Sequence, residues 1–282
     1  MNNEYLEVIL RLIQDAGQIA IRYREDSSPA FKPDKSIITT ADKEISALAN
    51  DRLKNILARP GHILVDEEDA NSQRYLNKDS LAANPLIFSI DPIDGTRIYA
   101  NRWPMFGISI GLIKDRKPWM GAVYFPVLDE LFYCDGTNSY FVQNAFKENE
   151  TKRPIVPIDL PINKHTVFLL TDSFFHHYDW DFTDCHIMIP ACAVVDLSWP
   201  TIGRACGSMM KSYLWDFAGS WPILKSAGLG LRTLSAGKLL EQIDTDLFIQ
   251  DKTPWRLKEP YILSSERNFP ILRGKIKPRN SR

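Results

Sequence analysis

A chain of 282 residues is long enough for one large domain or two modest ones, and 44% apolar against 24% charged residues is the balance of a soluble globular protein. Its 34 Lys and Arg offset 35 Asp and Glu to a net charge of -1, and no basic stripe interleaved with aromatic residues marks it for nucleic acid. No apolar run reaches the about 18–20 residues that span a bilayer, and Met1-Asn2-Asn3-Glu4 lacks the basic and apolar regions of a signal peptide.

Residues 4–24 carry Leu6, Ile9, Leu10, Ile13, Ala16 and Ala20 at helical spacing and predict an amphipathic helix. Asp26-Ser27-Ser28-Pro29 breaks it, and 31–38 reads as extended or looped. A second helix is predicted from Thr40 or Ala41 to about Ala58, with Ile45, Ala49, Leu53 and Ile56 as its buried stripe. Thr39 and Thr40 are candidate caps, with Glu44 in the capping-box role, and Asp42 falls in the first turn, where a carboxylate complements the helix dipole. After Pro60-Gly61, the apolar run Ile63-Leu64-Val65 ends in Asp66-Glu67-Glu68-Asp69. Four acids at a strand end are either a solvated loop or a site.

The run Leu86-Ile87-Phe88-Ser89-Ile90 reads as a buried strand leading straight into Asp91-Pro92-Ile93-Asp94-Gly95-Thr96. Pro92 is expected to stop that strand, because proline donates no ladder hydrogen bond. Asp91 and Asp94 repel each other and stay ionised together only beside something positive. Carboxylate and carbonyl ligands select a hard ion such as Mg²⁺. Gly95 allows close backbone approach, and Gly95-Thr96 opens a helix whose free N–H groups face an anion. Metal and anion at one point mean phosphate chemistry. The stretch is also ordinary turn chemistry, so the rest of the chain decides between the two.

From Met105 to Phe141 the pattern is an antiparallel meander, with strands at 106–113, 119–125 and 130–134. Residues 147–164, rich in Lys, Glu and Pro, read as a connector between two halves, 1–150 and 151–282. Strands are expected at 166–171, 185–189, 229–233, 247–249 and 261–264, and a last helix at 266–273. The stretch 191–214 has no clear period, interrupted as it is by Pro200 and Gly203. Asp216 is placed at the start of a helix running to about Lys225, which Gly228 ends. Cys134, Cys185, Cys192 and Cys206 show no CxxC spacing and read as reduced thiols of a cytoplasmic protein.

Glu67-Glu68, then Asp91-Pro92-Ile93-Asp94-Gly95-Thr96, then Trp215-Asp216-Phe217-Ala218-Gly219 stand in an order that resembles the inositol monophosphatase family of Mg²⁺-dependent phosphomonoesterases. Trp103 to Leu112, Gly121 to Leu131 and Lys258 to Ser264 match its strands as well, whereas Thr39-Thr40-Ala41-Asp42 matches its Thr-Ala-x-Asp only loosely. The resemblance implies an α/β fold layered αβαβα. It implies metal ligands at Glu67, Asp91, Asp94, Asp216 and the Ile93 carbonyl, holding two or three Mg²⁺ per site. Thr96 and Asp42 would orient the attacking water, Gly95 and Thr96 N–H groups would hold phosphate, and Glu68 would support the ligands. Lys32 sits near a position where the family often has a lysine. A small phosphorylated metabolite as substrate, sensitivity to Li⁺ and a homodimer are implied too, with no nucleic acid or membrane partner.

The chemistry also stands by itself. Cleaving a phosphate monoester needs an activated water, a stabilised leaving oxygen and charge cancelled on the equatorial oxygens, which metal ions held by four carboxylates supply. With no Cys or His in the set, Mg²⁺ is expected rather than zinc. The substrate half departs from the family. Inositol-cleaving members carry Ala-x-Gly-Arg-x-Asp-x-x-x-Glu, aligned here with Thr201 to Met210, so Cys206 stands at the Asp and Met209 or Met210 near the Glu. Neither a thiol nor a thioether replaces those acceptors. Arg97, Arg204 and Cys206 are the substrate-contact candidates. Histidinol phosphate, a 3′-phosphoadenosine nucleotide or a sugar phosphate are alternative substrates, and a catalytically weak binding protein is the alternative of a different class.

Overall fold

The computed structural model describes residues 2–25, 29–32, 37–181, 183–250 and 254–279. Helices α1 (Asn2–Tyr23) and α2 (Thr40–Leu57) form where the apolar stripes predict them, and Ile9, Ile13, Ala16, Ala20, Ile45, Ala49, Leu53 and Ile56 are all buried. The cap of α2 is Thr39. Its hydroxyl faces the Asp42 N–H, and the Asp42 carboxylate accepts from Thr39 N at 2.7 Å. Asp42, not Glu44, therefore completes the capping box, because it is three residues from the cap actually used. A short antiparallel ribbon, β1 (Ala30–Phe31) with β2 (Ile37–Ile38), precedes α2.

The first large sheet is built from β3 (His62–Asp66), β4 (Leu86–Asp94), β5 (Gly107–Lys114), β6 (Lys117–Phe125), β7 (Glu130–Cys134), β8 (Ser139–Gln143) and β9 (Thr151–Pro154), in that spatial order. Helix α3 (Lys78–Ala83) links β3 to β4, and α4 (Thr96–Ala100) follows β4. Only β3 and β4 pair in parallel; the others form the antiparallel meander. Two expectations are corrected. Pro92 does not end its strand: β4 runs on to Asp94, with Asp91 opposite Ser109 and Asp94 opposite Gly107. Three steps on β4 face two on β5, and Pro92 sits inside that bulge, where no ladder donor is required. Part of the 147–164 connector is the edge strand β9, whose register is fixed by β8.

The second sheet orders β12 (His186–Met188), β10 (Val167–Leu170), β13 (Gly207–Met210), β15 (Tyr261–Ser264) and β14 (Gly230–Thr233). Around it lie α5 (Phe174–His177), α6 (Ala193–Ser198), α7 (Leu214–Ala218), α8 (Trp221–Ser226) and α9 (Phe269–Lys275), and β11 (Tyr178–Trp180) pairs with β16 (Ile276–Pro278). The helix expected over 216–225 is two helices that break at Gly219-Ser220, which puts Pro222 in the first turn of α8, where its missing N–H costs nothing. The strand expected at 247–249 is a 3₁₀ turn, Thr245–Leu247, with a single bridge from Phe248 to Leu257. The last helix begins at Phe269, with Pro270 in its first turn.

The layers follow from these contacts. Helices α1 and α2 cover one face of the seven-stranded sheet, and α6, α7 and α8 cover the other. Helix α6 also packs on β13 of the second sheet, and α9 closes the far side against β15, giving αβαβα. The central layer is close to the sheet because glycines leave room. A Cβ at Gly111 would lie 2.5 Å from the backbone carbon of Ala218, and one at Gly121 2.3 Å from the Gly219 carbonyl oxygen. Backbone of α7 therefore rests directly on β5 and β6.

Candidate active site

Parallel pairing sends the C-terminal ends of β3 and β4 to one edge of the sheet. Glu67 N donates to Ile90 O at 3.2 Å, which sets Glu67 beside Asp91. Ser109, the ladder partner of Asp91, donates through Oγ to Trp215 O at 2.8 Å, and this bond seats the first turn of α7 over the same point. Asp216 in that turn accepts from Tyr213 N at 2.9 Å. The Glu67 and Asp216 charges both bear on Asp91. Asp94 ties β4 to α6: its Oδ1 accepts from Ala193 N at 3.1 Å and its Oδ2 from Val194 N.

Burial and mutual repulsion dominate the electrostatics. Asp91 and Asp216 are pushed well above the carboxylate range, first by burial and then by the neighbouring acids. Asp94 is raised to about 7 by burial, against the pull of the Val194 and Ala193 N–H groups. Glu68 is raised to about 8 by burial and the Glu67 charge, despite its contact with Lys32. Asp42, fully buried, is raised to about 7 by burial, although both Thr39 donors favour its ionised form. Lys32 Nζ reaches Glu67 Oε1 at 3.1 Å and Glu68 Oε1 at 2.8 Å. Burial works against its charge, but the two glutamates hold its pKa above the usual value.

This donor set fits a hard divalent cation. Glu67, Asp91, Asp94 and Asp216 are all oxygen donors, they disfavour one another's charge, and Asp91 Oδ1 is buried without a hydrogen-bond partner. Among the described residues, no group of three or more His, Cys, Asp or Glu side chains is arranged, as it stands, to hold a metal ion. The four acids are neighbours whose side chains repel, and closing them on one ion requires that ion's charge.

A protein-family model described as the inositol monophosphatase family matches residues 1–266. The chain belongs to the inositol monophosphatase family. Among its relatives, a "Fructose-1,6-bisphosphatase/inositol-1-monophosphatase" of Aquifex aeolicus is 29% identical over 213 residues, covering 72% of this chain and 74% of the relative. The "3'(2'),5'-bisphosphate nucleotidase CysQ" of Salmonella typhimurium is 24% identical over 261 residues, covering 86% and 96%. A solved structure of an IMPase/NADP phosphatase complexed with Mg²⁺ and phosphate superposes with a TM-score of 0.75 over 100% of this chain and 99% of that one, at 15% identity, and so shares the fold.

Within this family member, the remaining predicted residues fall into two groups. Close to the acids, Gly95 takes φ +82°, a left-handed conformation that suits glycine, and caps α4. Thr96 Oγ1 donates to the Ile93 carbonyl at 3.0 Å, and Asp42 faces the site from α2, its field reaching Glu67 and Lys32. The others are engaged elsewhere. Arg97 is exposed and pairs with Asp172 at 3.3 Å. Arg204 puts both terminal nitrogens on Glu130, at 2.6 and 2.5 Å, and stacks over Trp199. Cys206 is buried, donates to Val167 O at 3.2 Å and touches Cys185. Of the two methionines, Met210 packs with Leu214 and Trp215 under α7, whereas Met209 lines a cavity beyond it.

Two acids escape sequence reasoning. Asp66 is buried, accepts from Ser46 Oγ and holds the Glu68 N–H at 2.9 Å, so it shapes the Glu67-Glu68 turn. Asp196 is buried in α6 with Oδ1 unpartnered, and burial and then the Asp94 charge push its carboxyl well up. The signal for Asp196 is an acid inside the apolar run Ala193-Val194-Val195-Asp196-Leu197; for Asp66 it is its place as the last residue of an otherwise apolar strand.

Proposed function

We propose that the chain is a Mg²⁺-dependent phosphatase that hydrolyses a small phosphate monoester with an activated water. The observation that carries this reading is the meeting of Glu67, Asp91, Asp94 and Asp216 at the ends of β3 and β4 and the first turn of α7. When bound, a hard divalent cation there acidifies water and neutralises charge on a phosphoryl group. Glu67, Asp91, Asp94, Asp216 and the Ile93 carbonyl would hold it. Thr96 Oγ1, fixed by donating to the Ile93 carbonyl, keeps lone pairs that would accept a hydrogen bond from the water and orient it. Asp42, buried with Oδ1 unpartnered and raised to about 7, would take up the proton the water releases. The water oxygen bonds to phosphorus, the ester P–O bond breaks, and the departing oxygen takes a proton from solvent. Gly95 and Thr96 N–H groups would face the phosphoryl oxygens.

Family resemblance further supports two or three ions per site, a cytoplasmic homodimer, and a division of labour between 1–150, with most of the acids, and 151–282, with substrate selection. Among the described residues no helix is long and apolar enough to cross a membrane. The experiment is phosphate release from a panel of phosphomonoesters in MgCl₂ and in EDTA. Turnover confined to MgCl₂ is expected; turnover that persists in the chelator removes the metal from the mechanism.

A further inference from the structure

Beyond the acids, the end of β13 and the start of α5 border a cavity of about 280 Å³ lined by two cations, Lys211 and Arg256, together with His177, Thr171, Tyr178 and Met209. Two other half-buried cations are matched by carboxylates, Lys32 by Glu67 and Glu68 and Arg204 by Glu130. Among the described residues Lys211 and Arg256 have no carboxylate at ion-pair distance, and Arg256 Nε is buried with no hydrogen-bond partner. They face each other instead. Burial and then the Arg256 charge hold the Lys211 ammonium below its usual value. Two like charges brought together in a partly dry cavity lack an anion, and a guanidinium fork beside an ammonium suits phosphate oxygens.

Two chains of contacts link the cavity lining to the acids. Arg256 pairs through its backbone with Tyr213, whose N–H rests on Asp216. Thr171 precedes Asp172, which holds Arg97, the residue after Thr96. A substrate with one phosphoryl group at the acids would reach this cavity with its other end, past Met209 and Tyr178.

We propose that Lys211 and Arg256 bind a second phosphate of the substrate, so that the chain prefers a small bisphosphorylated metabolite to its monophosphate counterpart. This inference rests on the phosphatase reading for its substrate, but not for its site. The test compares adenosine 3′,5′-bisphosphate with 3′-AMP, and fructose 1,6-bisphosphate with fructose 1-phosphate, in wild type, Lys211→Met, Arg256→Gln and Arg256→Lys. In wild type, kcat/KM for one bisphosphate should exceed that of its partner about tenfold or more. Lys211→Met and Arg256→Gln should each lower that ratio about tenfold, mainly through KM, with partial recovery in Arg256→Lys. A ratio that the variants leave unchanged, or an equal loss on both members of a pair, overturns it. Calorimetric titration with inorganic phosphate in EDTA tests the cavity without turnover. Binding to wild type weakened about tenfold in Lys211→Met supports the site even if no ester is hydrolysed, and equal or absent binding in the two proteins refutes it.

Discussion

Asp94→Asn separates the two jobs of that carboxylate. Its oxygens accept from Ala193 N at 3.1 Å and from Val194 N, so they hold the start of α6 to the end of β4, besides the ligand role proposed for them. An amide offers one acceptor, and its NH₂ group then confronts a backbone donor. Leaving a buried N–H unpaired costs about 1–3 kcal/mol. At about 2–4 °C per kcal/mol for a chain of this size, the melting temperature should fall by roughly 2–12 °C in EDTA. The substitution also removes a ligand charge, and kcat/KM in MgCl₂ should fall by more than about 100-fold. The control is Asp91→Asn. Asp91 Oδ1 has no hydrogen-bond partner, and an amide there donates to Glu67 or Asp216, so the metal-free melt should stay at or above wild type. For wild type, Mg²⁺ at about 100 times its Kd adds about 2.7 kcal/mol, or roughly 5–10 °C, and both variants should lose most of that gain. Thermal melts with and without MgCl₂, beside phosphate release, read all of these. An Asp94→Asn protein that melts with wild type and keeps its turnover would refute the reasoning, and so would an Asp91→Asn protein with the full response to Mg²⁺.

Thr96→Ala removes a hydroxyl fixed on Ile93 O and should lower kcat by about 10²–10⁴ with little change in KM, because the group acts on the water in the transition state; a normal kcat takes Thr96 out of the mechanism. Inositol 1-phosphate should be a poor substrate, since buried Cys206 and apolar Met209 offer its hydroxyls no strong acceptor; turnover equal to the best ester of the panel would contradict this. LiCl should inhibit more than matched KCl, and less as MgCl₂ rises, because a small hard monovalent ion competes for the same oxygens with one charge too few; identical curves for Li⁺ and K⁺ would count against a weakly held second ion.

Strands β3 to β7 are plain in the chain because they are mostly apolar, and β4 is marked as a strand leading into paired acids, whereas the exposed β9, Thr-Lys-Arg-Pro, is not. Pro92 misleads about its end, since a bulge is set by the partner strand and not by the proline. From Ala193 to Trp221 the elements have four to six residues, too few for a period to show, and what separates α7 from α8 is contact of Gly219 with Gly121 across the layer. The four acids proposed as ligands were legible through their order along the chain. Their roles as struts were not: Asp94 on α6, Asp42 on Thr39 and Asp66 on Ser46 depend on partners that only folding supplies. Arg204 looked like a substrate contact because its pairing with Glu130 joins residues 74 apart in sequence.

The glycine seat of α7 has a mechanical consequence. Asp216 rides on a helix whose last turn meets β5 and β6 at Gly111 and Gly121, with only small groups, the Ala218 methyl and the Ser109 hydroxyl, between. Most cores damp a substitution by small rotamer shifts; this junction has few rotamers to shift. The distance from Asp216 to the β4 acids is thus set by covalent geometry and sheet pleat, and repacking elsewhere does not tune it. Adaptability lies instead in the cavity at the ends of β10 and β13, whose walls are side chains. One fold thereby combines a stiff hydrolytic centre with a readily altered vestibule.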